Sequence, residues 1–269
     1  MSGIDLHSLL KDLPHGLRQG LGEIYEFDRI DSTNDEALRR LRDGKLGHCL
    51  IVAREQSAGR GRRGHQWQSP GGAGLYFSLV RELPLPLDRI LALGPVVALA
   101  FRAGLSDLEV FGLSVKWPND LLSGNRKLGG ILVETHGADE QRHVVVGVGL
   151  NLRFPPEVMK HIDKPAVDLA TICEDDPDWP HLLPAILNRL LEYIGIFRDE
   201  GFAFFQDEWN KFDRYFQQDV VVQVGDEKTI GRVSGVDETG ALLVRNATGI
   251  QRMVSGTIFP SRHGAGPKP

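Results

Sequence analysis

Cys49-Leu50-Ile51-Val52-Ala53-Arg54-Glu55-Gln56-Ser57-Ala58-Gly59-Arg60-Gly61-Arg62-Arg63-Gly64 decides the architecture of this chain. Its first six residues form a short apolar run of the kind that makes a buried strand, and Glu55 to Ala58 lead from the strand's end into a glycine and arginine loop. Glycines at 59, 61 and 64 let backbone N–H groups come close to a ligand. The three arginines carry permanent charge on planar forks that match carboxylate and phosphate. Downstream, Trp67-Gln68-Ser69-Pro70 and the glycine-rich turn 71–74 precede a second strand, Leu75-Tyr76-Phe77-Ser78-Leu79. An isolated basic run reads as a solvated surface or a nucleic-acid patch, but one held between two strands is a positioned loop.

Two later segments, Lys116-Trp117-Pro118-Asn119-Asp120 and Lys127-Leu128-Gly129-Gly130, supply what the loop lacks: an ammonium, a carboxylate and further close-approach glycines. Together the three segments describe a site for two anions, which is the requirement of an enzyme that activates an acid.

Outward from this centre, Glu23 to Phe27 suggests a strand, and Asp31-Ser32-Thr33-Asn34-Asp35-Glu36 carries helix-start chemistry in which Thr33 and Glu36 fit a capping box. Ser32 and Thr33 then have two possible roles, as caps alone or as polar ligand-holding groups at a helix start. The central part alternates apolar segments with turns, at 75–80, a helix near 88–104, then 113–117, 128–135 and 142–152. That order predicts an α+β fold, a mixed sheet with helices on one face. Hairpins are expected at Ser123-Gly124-Asn125-Arg126 and near Gly137-Ala138-Asp139-Glu140, the latter leading into Gly147-Val148-Gly149-Leu150-Asn151. Helices follow at about 180–199 and 201–214, after Pro177 and Pro180. From Gln218 the pattern becomes short alternating strands, Val220 to Val224, Gly231 to Val236, Ala241 to Val244 and Gln251 to Val254, too small a unit to be stable without docking on the larger one. The resulting division is a short extension at 1–22, a catalytic domain at 23–216, a small all-β domain at 217–262 and a disordered Gly/Pro tail at 263–269.

With 41% hydrophobic and 25% charged residues, the 269-residue chain has the composition of a folded globular protein. A formal net charge of −5 gives no global attraction for nucleic acid, so any polyanion binding has to come from local clusters such as 60–63. Neither cysteine, Cys49 or Cys173, has metal or redox spacing, and both read as reduced structural thiols. Asp5, His7, Lys11 and Asp12 interrupt the N-terminal apolar residues, which argues against a signal peptide and for a cytoplasmic protein. The apolar stretch Ile90 to Phe101 contains Gly94-Pro95 and falls short of the roughly 20 residues a membrane span needs, so it reads as a buried helix.

Asp31-Ser32-Thr33-Asn34, Gln56 before Gly59 to Gly64, Trp67, Lys116 to Asp120, Lys127 to Glu134 and Gly149-Leu150-Asn151 stand in the order found in biotin protein ligases, and the chain resembles that family over residues 24 to 260. The resemblance implies a class II synthetase-like catalytic fold with a C-terminal SH3-like barrel. It implies a reaction in which biotin and ATP, with Mg2+, give biotinyl-5′-adenylate and pyrophosphate, after which a lysine of a biotin carboxyl carrier protein domain takes the biotinyl group. By the same resemblance the catalytic residues are Lys127, Arg60 and Arg62. Biotin is bound by Ser32, Thr33, Asn34, Gln56, Arg60, Gly61, Arg62, Lys127, Gly130 and Leu132, with Gly130 leaving room for the ring. ATP and the adenylate are bound by Arg62, Arg63, Trp67, Lys116, Asn119, Asp120 and Asn151; Trp67 and Asn119 also fit ordinary packing and turn roles. The resemblance puts Lys116, Asn119 and Asp120 near the nucleotide or its metal and leaves the metal's ligands unassigned.

The loop departs from some relatives at His65, where they carry arginine. Only about 20 residues precede the first matching strand, too few for a helix-turn-helix, so the resemblance implies a ligase that does not bind DNA, as monomer or homodimer. Two rivals remain: a lipoate ligase or octanoyl transferase, and a nucleic-acid-binding module using Arg60, Arg62 and Arg63 on phosphates.

Overall fold

The computed structural model describes residues 6–44, 47–138, 141–160, 162, 165–173 and 179–261. In chain order the elements are α1 (Leu6–Lys11), α2 (His15–Leu21), β1 (Glu23–Ile30), α3 (Thr33–Arg42), β2 (Cys49–Gln56), β3 (Gly74–Glu82), α4 (Leu87–Ile90), α5 (Leu93–Ser106), β4 (Leu113–Lys116), β5 (Asp120–Ser123), β6 (Arg126–His136), β7 (His143–Asn151), α6 (Pro156–Lys160), α7 (Leu169–Ile172), α8 (Trp179–Glu200), α9 (Gln206–Phe212), β8 (Asp219–Val224), β9 (Glu227–Val236), β10 (Leu242–Asn246), β11 (Gly249–Met253) and β12 (Thr257–Pro260). Asp139, Glu140, Pro177 and the tail from His263, for which turns or disorder were expected, lie outside the described residues.

Seven strands form one sheet in the order β1-β2-β3-β7-β6-β5-β4. Only β1 and β2 run parallel, from Glu23 opposite Cys49 to Ile30 opposite Gln56, because α3 carries the chain back between them. The other pairs are antiparallel, so the sheet is mixed as expected.

Strand β2 shows why its apolar run is continuous. Cys49 and Ile51 face Ala37 and Leu41 of α3, while Leu50 and Val52 face the larger core with Phe77, Leu79 and α5. A strand covered on both sides has no polar face. Helices α5 and α8 share the larger-core face, and they cross closely at Gly104, where a Cβ would lie 2.8 Å from the Ile186 Cα. Among the described residues α3 packs on the opposite face.

The segment Leu87–Ser106 is 20 residues long, with a mean hydropathy of 1.4 in its most apolar window, and 72% of that window is buried in the protein. Burying side chains such as Leu99 and Phe101 contributes about 1.5–3 kcal/mol each, which places this segment in the core.

The cap of α3 differs from the expected capping box. Ser32 is the N-cap and accepts from the Asp35 N–H at 3.4 Å, Thr33 is the first helical residue, and the Glu36 carboxylate pairs with Arg39 and Arg40 in place of reaching back. Asp31 fixes the entry: it accepts from the Ser32 N–H at 2.7 Å and forms a bidentate pair with Arg39 at 2.8 and 2.9 Å. The hydrogen bonds from Arg39 hold the Asp31 carboxyl down at about 2.

Five strands form a second, antiparallel sheet in the order β11-β10-β9-β8-β12. Strand β12, absent from the sequence reading, pairs with β8 through Ile258 opposite Val222. This sheet is tied to the rest by Trp117 Nε1 donating to the Gly240 carbonyl at 3.0 Å and Gln206 Nε2 donating to Val236 O at 2.7 Å. The tie matters for the site, because Trp117 belongs to the Lys116 to Asp120 segment.

Candidate active site

Every residue singled out as a ligand contact lines one cavity of about 300 Å³, at the edge where α3, the β2 to β3 loop, the β4 to β5 turn, β6 and β7 meet. Gly256, Thr257 and Ile258 of the second sheet close part of its wall. Arg63 has φ of 55° and donates from Nη1 to Thr257 Oγ1 at 3.2 Å, joining the arginine loop to that wall.

One end of the cavity is neutral and polar. The Thr33 N–H donates to Gln56 Oε1 at 2.9 Å, and the Thr33 hydroxyl lies 3.2 Å from the same oxygen. Gln56 Nε2 donates to Ser69 Oγ at 2.9 Å. Fully buried Ser78 lies 2.8 Å from Thr33 Oγ1 and donates to Asn34 Oδ1 at 2.5 Å; its single hydrogen goes to Asn34, whose carbonyl oxygen can only accept. Asn34 Nδ2 donates to Glu134 Oε2 at 2.8 Å and to Leu132 O at 3.3 Å, so both N–H groups of the Asn34 carboxamide are engaged by protein. Gly147 makes this possible, since a Cβ there would lie 2.2 Å from Asn34 Oδ1.

The other end is cationic. Lys127 Nζ lies 2.5 Å from Asp120 Oδ1 and 5.2 Å from the centroid of the Trp67 ring. The Lys127 backbone is held from both sides, donating to Pro165 O at 2.8 Å and accepting from the Val167 N–H at 3.0 Å. Asn151, 3% exposed, donates to Lys127 O at 3.4 Å and Val167 O at 3.0 Å, which locks the same junction. Arg62 Nη1 lies 3.4 Å from Asn119 Oδ1, and Asn119 Nδ2 donates to the Ile131 carbonyl. Burial, reinforced by the charge of Arg63, lowers the Arg62 pKa, although a guanidinium still keeps its proton. Arg60 stands apart from this end, held by Asp35 and Glu134 beside Asn34; burial acts on it in the same direction, but the hydrogen bonds and charges of Glu134 and Asp35 outweigh it and the pKa is raised.

The space over Gly130 is filled by Lys127 and Trp67 in this structure: a Cβ at 130 would lie 3.0 Å from Lys127 Nζ and 3.1 Å from the Trp67 ring. Gly149, opposite Gly130 in the sheet, completes the floor beneath the indole, where a Cβ would be 2.5 Å from Trp67 Nε1. That Nε1 is buried with no hydrogen-bond partner among the described residues.

Residues 26–151 match the biotin/lipoate A/B protein ligase family, and residues 216–259 match the biotin protein ligase C terminal domain. The bifunctional ligase/repressor BirA of Escherichia coli is 33% identical over 242 residues, spanning 88% of this chain and 74% of BirA. The chain belongs to the biotin protein ligase family. The biotin–[acetyl-CoA-carboxylase] ligase of Paracoccus denitrificans is 30% identical over 86% of this ligase and 98% of its own length. The biotin protein ligase from Aquifex aeolicus, solved in complex with biotin and ATP, superposes with a TM-score of 0.72 at 29% identity, over 89% of this chain and 100% of that one.

Several residues of this ligase's site escaped the sequence reading: Ser69, Ser78, Asp35, Gly147 and the wall from Gly256 to Ile258. Alternate glycines at 147 and 149 within a strand were a usable signal, because glycine inside a strand marks close approach of another group. Among the described residues no three His, Cys, Asp or Glu side chains cluster as a metal site. Burial pushes the Cys49 thiol up to about 12, in keeping with a structural cysteine.

Proposed function

We infer that this biotin protein ligase uses the neutral end of its cavity for the ureido ring of biotin and the cationic end for the meeting of biotin's carboxylate with ATP. The observation that carries this assignment is the convergence of Arg60, Arg62 and Lys127, from a loop and a strand far apart in sequence, on one cavity beside Thr33 and Gln56. A neutral ring is recognised by hydroxyls and carboxamides, and two anions are brought together only where cations offset their repulsion.

A biotin carboxylate oxygen attacks the α-phosphorus of ATP, the bond to the β-phosphate oxygen breaks, and pyrophosphate leaves. Arg62 and Lys127 stabilise the charge that builds on the phosphoryl oxygens. A lysine amine of the acceptor then attacks the activated carbonyl carbon, adenylate departs and the amine loses a proton. Ser32, whose hydroxyl hydrogen has no partner among the described residues, offers a donor to the ureido oxygen, and Gln56 and Thr33 face the ring N–H groups. Trp67 and Asn119 border the adenine end, with Lys116 and Arg63 toward the phosphates.

Magnesium takes few protein ligands and keeps its waters and phosphates, and among the described residues Asp120 is the acidic side chain lining this cavity, so the donor set fits an ion held by Asp120 together with ATP. The ion would neutralise phosphate charge and orient the leaving pyrophosphate.

The acceptor is a biotin carboxyl carrier protein, and the net charge of −5 favours a protein over nucleic acid as macromolecular partner. We assign residues 23–216 to catalysis and 217–262 to a smaller domain that completes the cavity wall. Biotin-dependent exchange of label between pyrophosphate and ATP tests the assignment. Exchange supported by lipoate and not by biotin refutes it.

A further inference from the structure

Lys127 is held by a piece of chain that stands where β7 no longer reaches. Strand β7 pairs with β6 only as far as Leu150 opposite Gly129. Beside Lys127 its place is taken by a strap of Pro165, Ala166 and Val167, with Ala166 bridged to Lys127 in parallel register. Pro165 O accepts from the Lys127 N–H at 2.8 Å, and the Val167 N–H donates back to the Lys127 carbonyl at 3.0 Å. Asp168 follows directly. It is 5% exposed and does not line the cavity, whereas Lys127, Phe154 and Ala166 do. One carboxylate oxygen caps α7, accepting from the Thr171 N–H at 2.9 Å and from the Thr171 hydroxyl. The other accepts from the Phe154 N–H at 2.9 Å, just beyond the end of β7. Alongside it the Ala170 N–H donates to Leu152 O at 2.9 Å. A helix cap needs a single oxygen, which serine supplies. The second oxygen of Asp168 fastens the strap to the chain that leaves β7.

We propose that Asp168 is a positioning residue for Lys127, locking the strap against Phe154 so that the lysine main chain keeps the place from which its ammonium meets the α-phosphate. This rests on the functional reading above. Lysine carries its charge on a flexible four-carbon stem, so the point where the stem starts limits where the charge can go. Sheet pairing fixes that point from one side only, because Lys127 stands opposite Leu122 at the register shift between β5 and β6 and has lost β7 on its other side. The strap fixes it from the other. Thr33, Gln56 and Ser69, at the neutral end, are hydrogen-bonded to one another and, among the described residues, not to the strap. Opening the lock therefore acts on the lysine and leaves the ring-binding residues in place.

The test measures biotin-dependent exchange between pyrophosphate and ATP at saturating substrates, alongside biotin affinity by titration calorimetry, on the full chain. Asp168→Ala is expected to lower kcat about 10-fold, the scale on which a small misplacement of a reacting group acts, with biotin Kd unchanged. In the Lys127→Ala background the same substitution lowers kcat no further, because no ammonium is left to misplace. Asp168→Ser keeps the cap of α7 but on its shorter arm lets go of Phe154, and it lowers kcat in the same way by about 3-fold or more. If circular dichroism finds Asp168→Ala unfolded, Asp168→Ser carries the prediction alone. Wild-type kcat in either folded variant, equal slowing with and without the lysine, or a biotin Kd weakened as much as kcat overturns the proposal while leaving the functional reading intact. A wild-type protein that shows no biotin-dependent exchange overturns both.

Discussion

Lys127 Nζ lies 2.5 Å from Asp120 Oδ1, although the two residues are not partners in the sheet: Asp120 stands opposite Gly130 and Lys127 opposite Leu122, on either side of an irregularity between Leu121 and Leu122. That register shift is what lets a side chain from the start of β6 reach back to the start of β5. Both groups are partly exposed, with 27% and 21% of their side chains accessible, so the pair adds little to stability. Its consequence is orientation: the ammonium is held at the cavity wall.

Lys127→Ala is expected to slow biotin-dependent pyrophosphate exchange by roughly 100-fold or more, the scale for losing one preorganised charge donor, with little change in melting temperature. Exchange at near wild-type rates in the folded variant would remove Lys127 from this role.

Ser78→Ala deletes the donor to Asn34 Oδ1 and leaves a buried acceptor unpaired. The expected cost is about 1–3 kcal/mol in urea denaturation, with weaker biotin binding because Thr33 and Asn34 lose their common anchor. Unchanged stability and affinity would show that Ser78 only fills space.

Gly149→Ala would place a methyl group 2.5 Å from the Trp67 indole, which has to move. Overpacking of this kind costs about 1–3 kcal/mol. We expect altered tryptophan fluorescence and a raised KM for ATP, with biotin affinity affected less. An unaltered spectrum and KM would show that the indole is not seated on this glycine floor.

Asp213 supplies a pH dependence at the junction of β4 and the second sheet. The backbone N–H of Arg214 donates to Val115 O at 2.8 Å, and Asp213 Oδ1 accepts from the Tyr215 N–H at 3.0 Å, but Oδ2 has no partner among the described residues. Burial raises its pKa to about 7. Between the unfolded value near 3.8 and about 7 the folded state holds the extra proton, so stability falls as pH rises through that window and levels off above it, by up to ~4 kcal/mol. Asp213→Asn should flatten that slope in urea titrations from about pH 5 to about pH 8. A slope identical to wild type would place the titration elsewhere.

The strands and the basic loop were legible because they rest on local signals, the unbroken apolar run at 49–53 and the glycine and arginine spacing that follows it. The cations that line the cavity were legible by chemical type, since carboxylate and phosphate call for guanidinium and ammonium groups whatever the fold. The partners that aim them were not. Ser78 meets Asn34 across 44 positions and Asn34 meets Glu134 across 100, separations at which neither periodicity nor motif spacing carries information. The capping box at Thr33 missed by one residue because Ser32 and Thr33 offer the same hydroxyl and only backbone geometry separates them. Strand β12 was hidden by its length of four residues, one of them Pro260, and it holds its place only through pairing with β8.

The central claim, that one cavity brings the acid group of biotin to the α-phosphate of ATP, is tested most directly by mass spectrometry under native conditions after incubation of the purified protein with biotin and Mg-ATP. The account predicts a protein-bound species with the mass of biotinyl adenylate, reduced in Lys127→Ala. Retention of intact biotin and ATP together, with no adenylate formed by the wild-type protein, would contradict it.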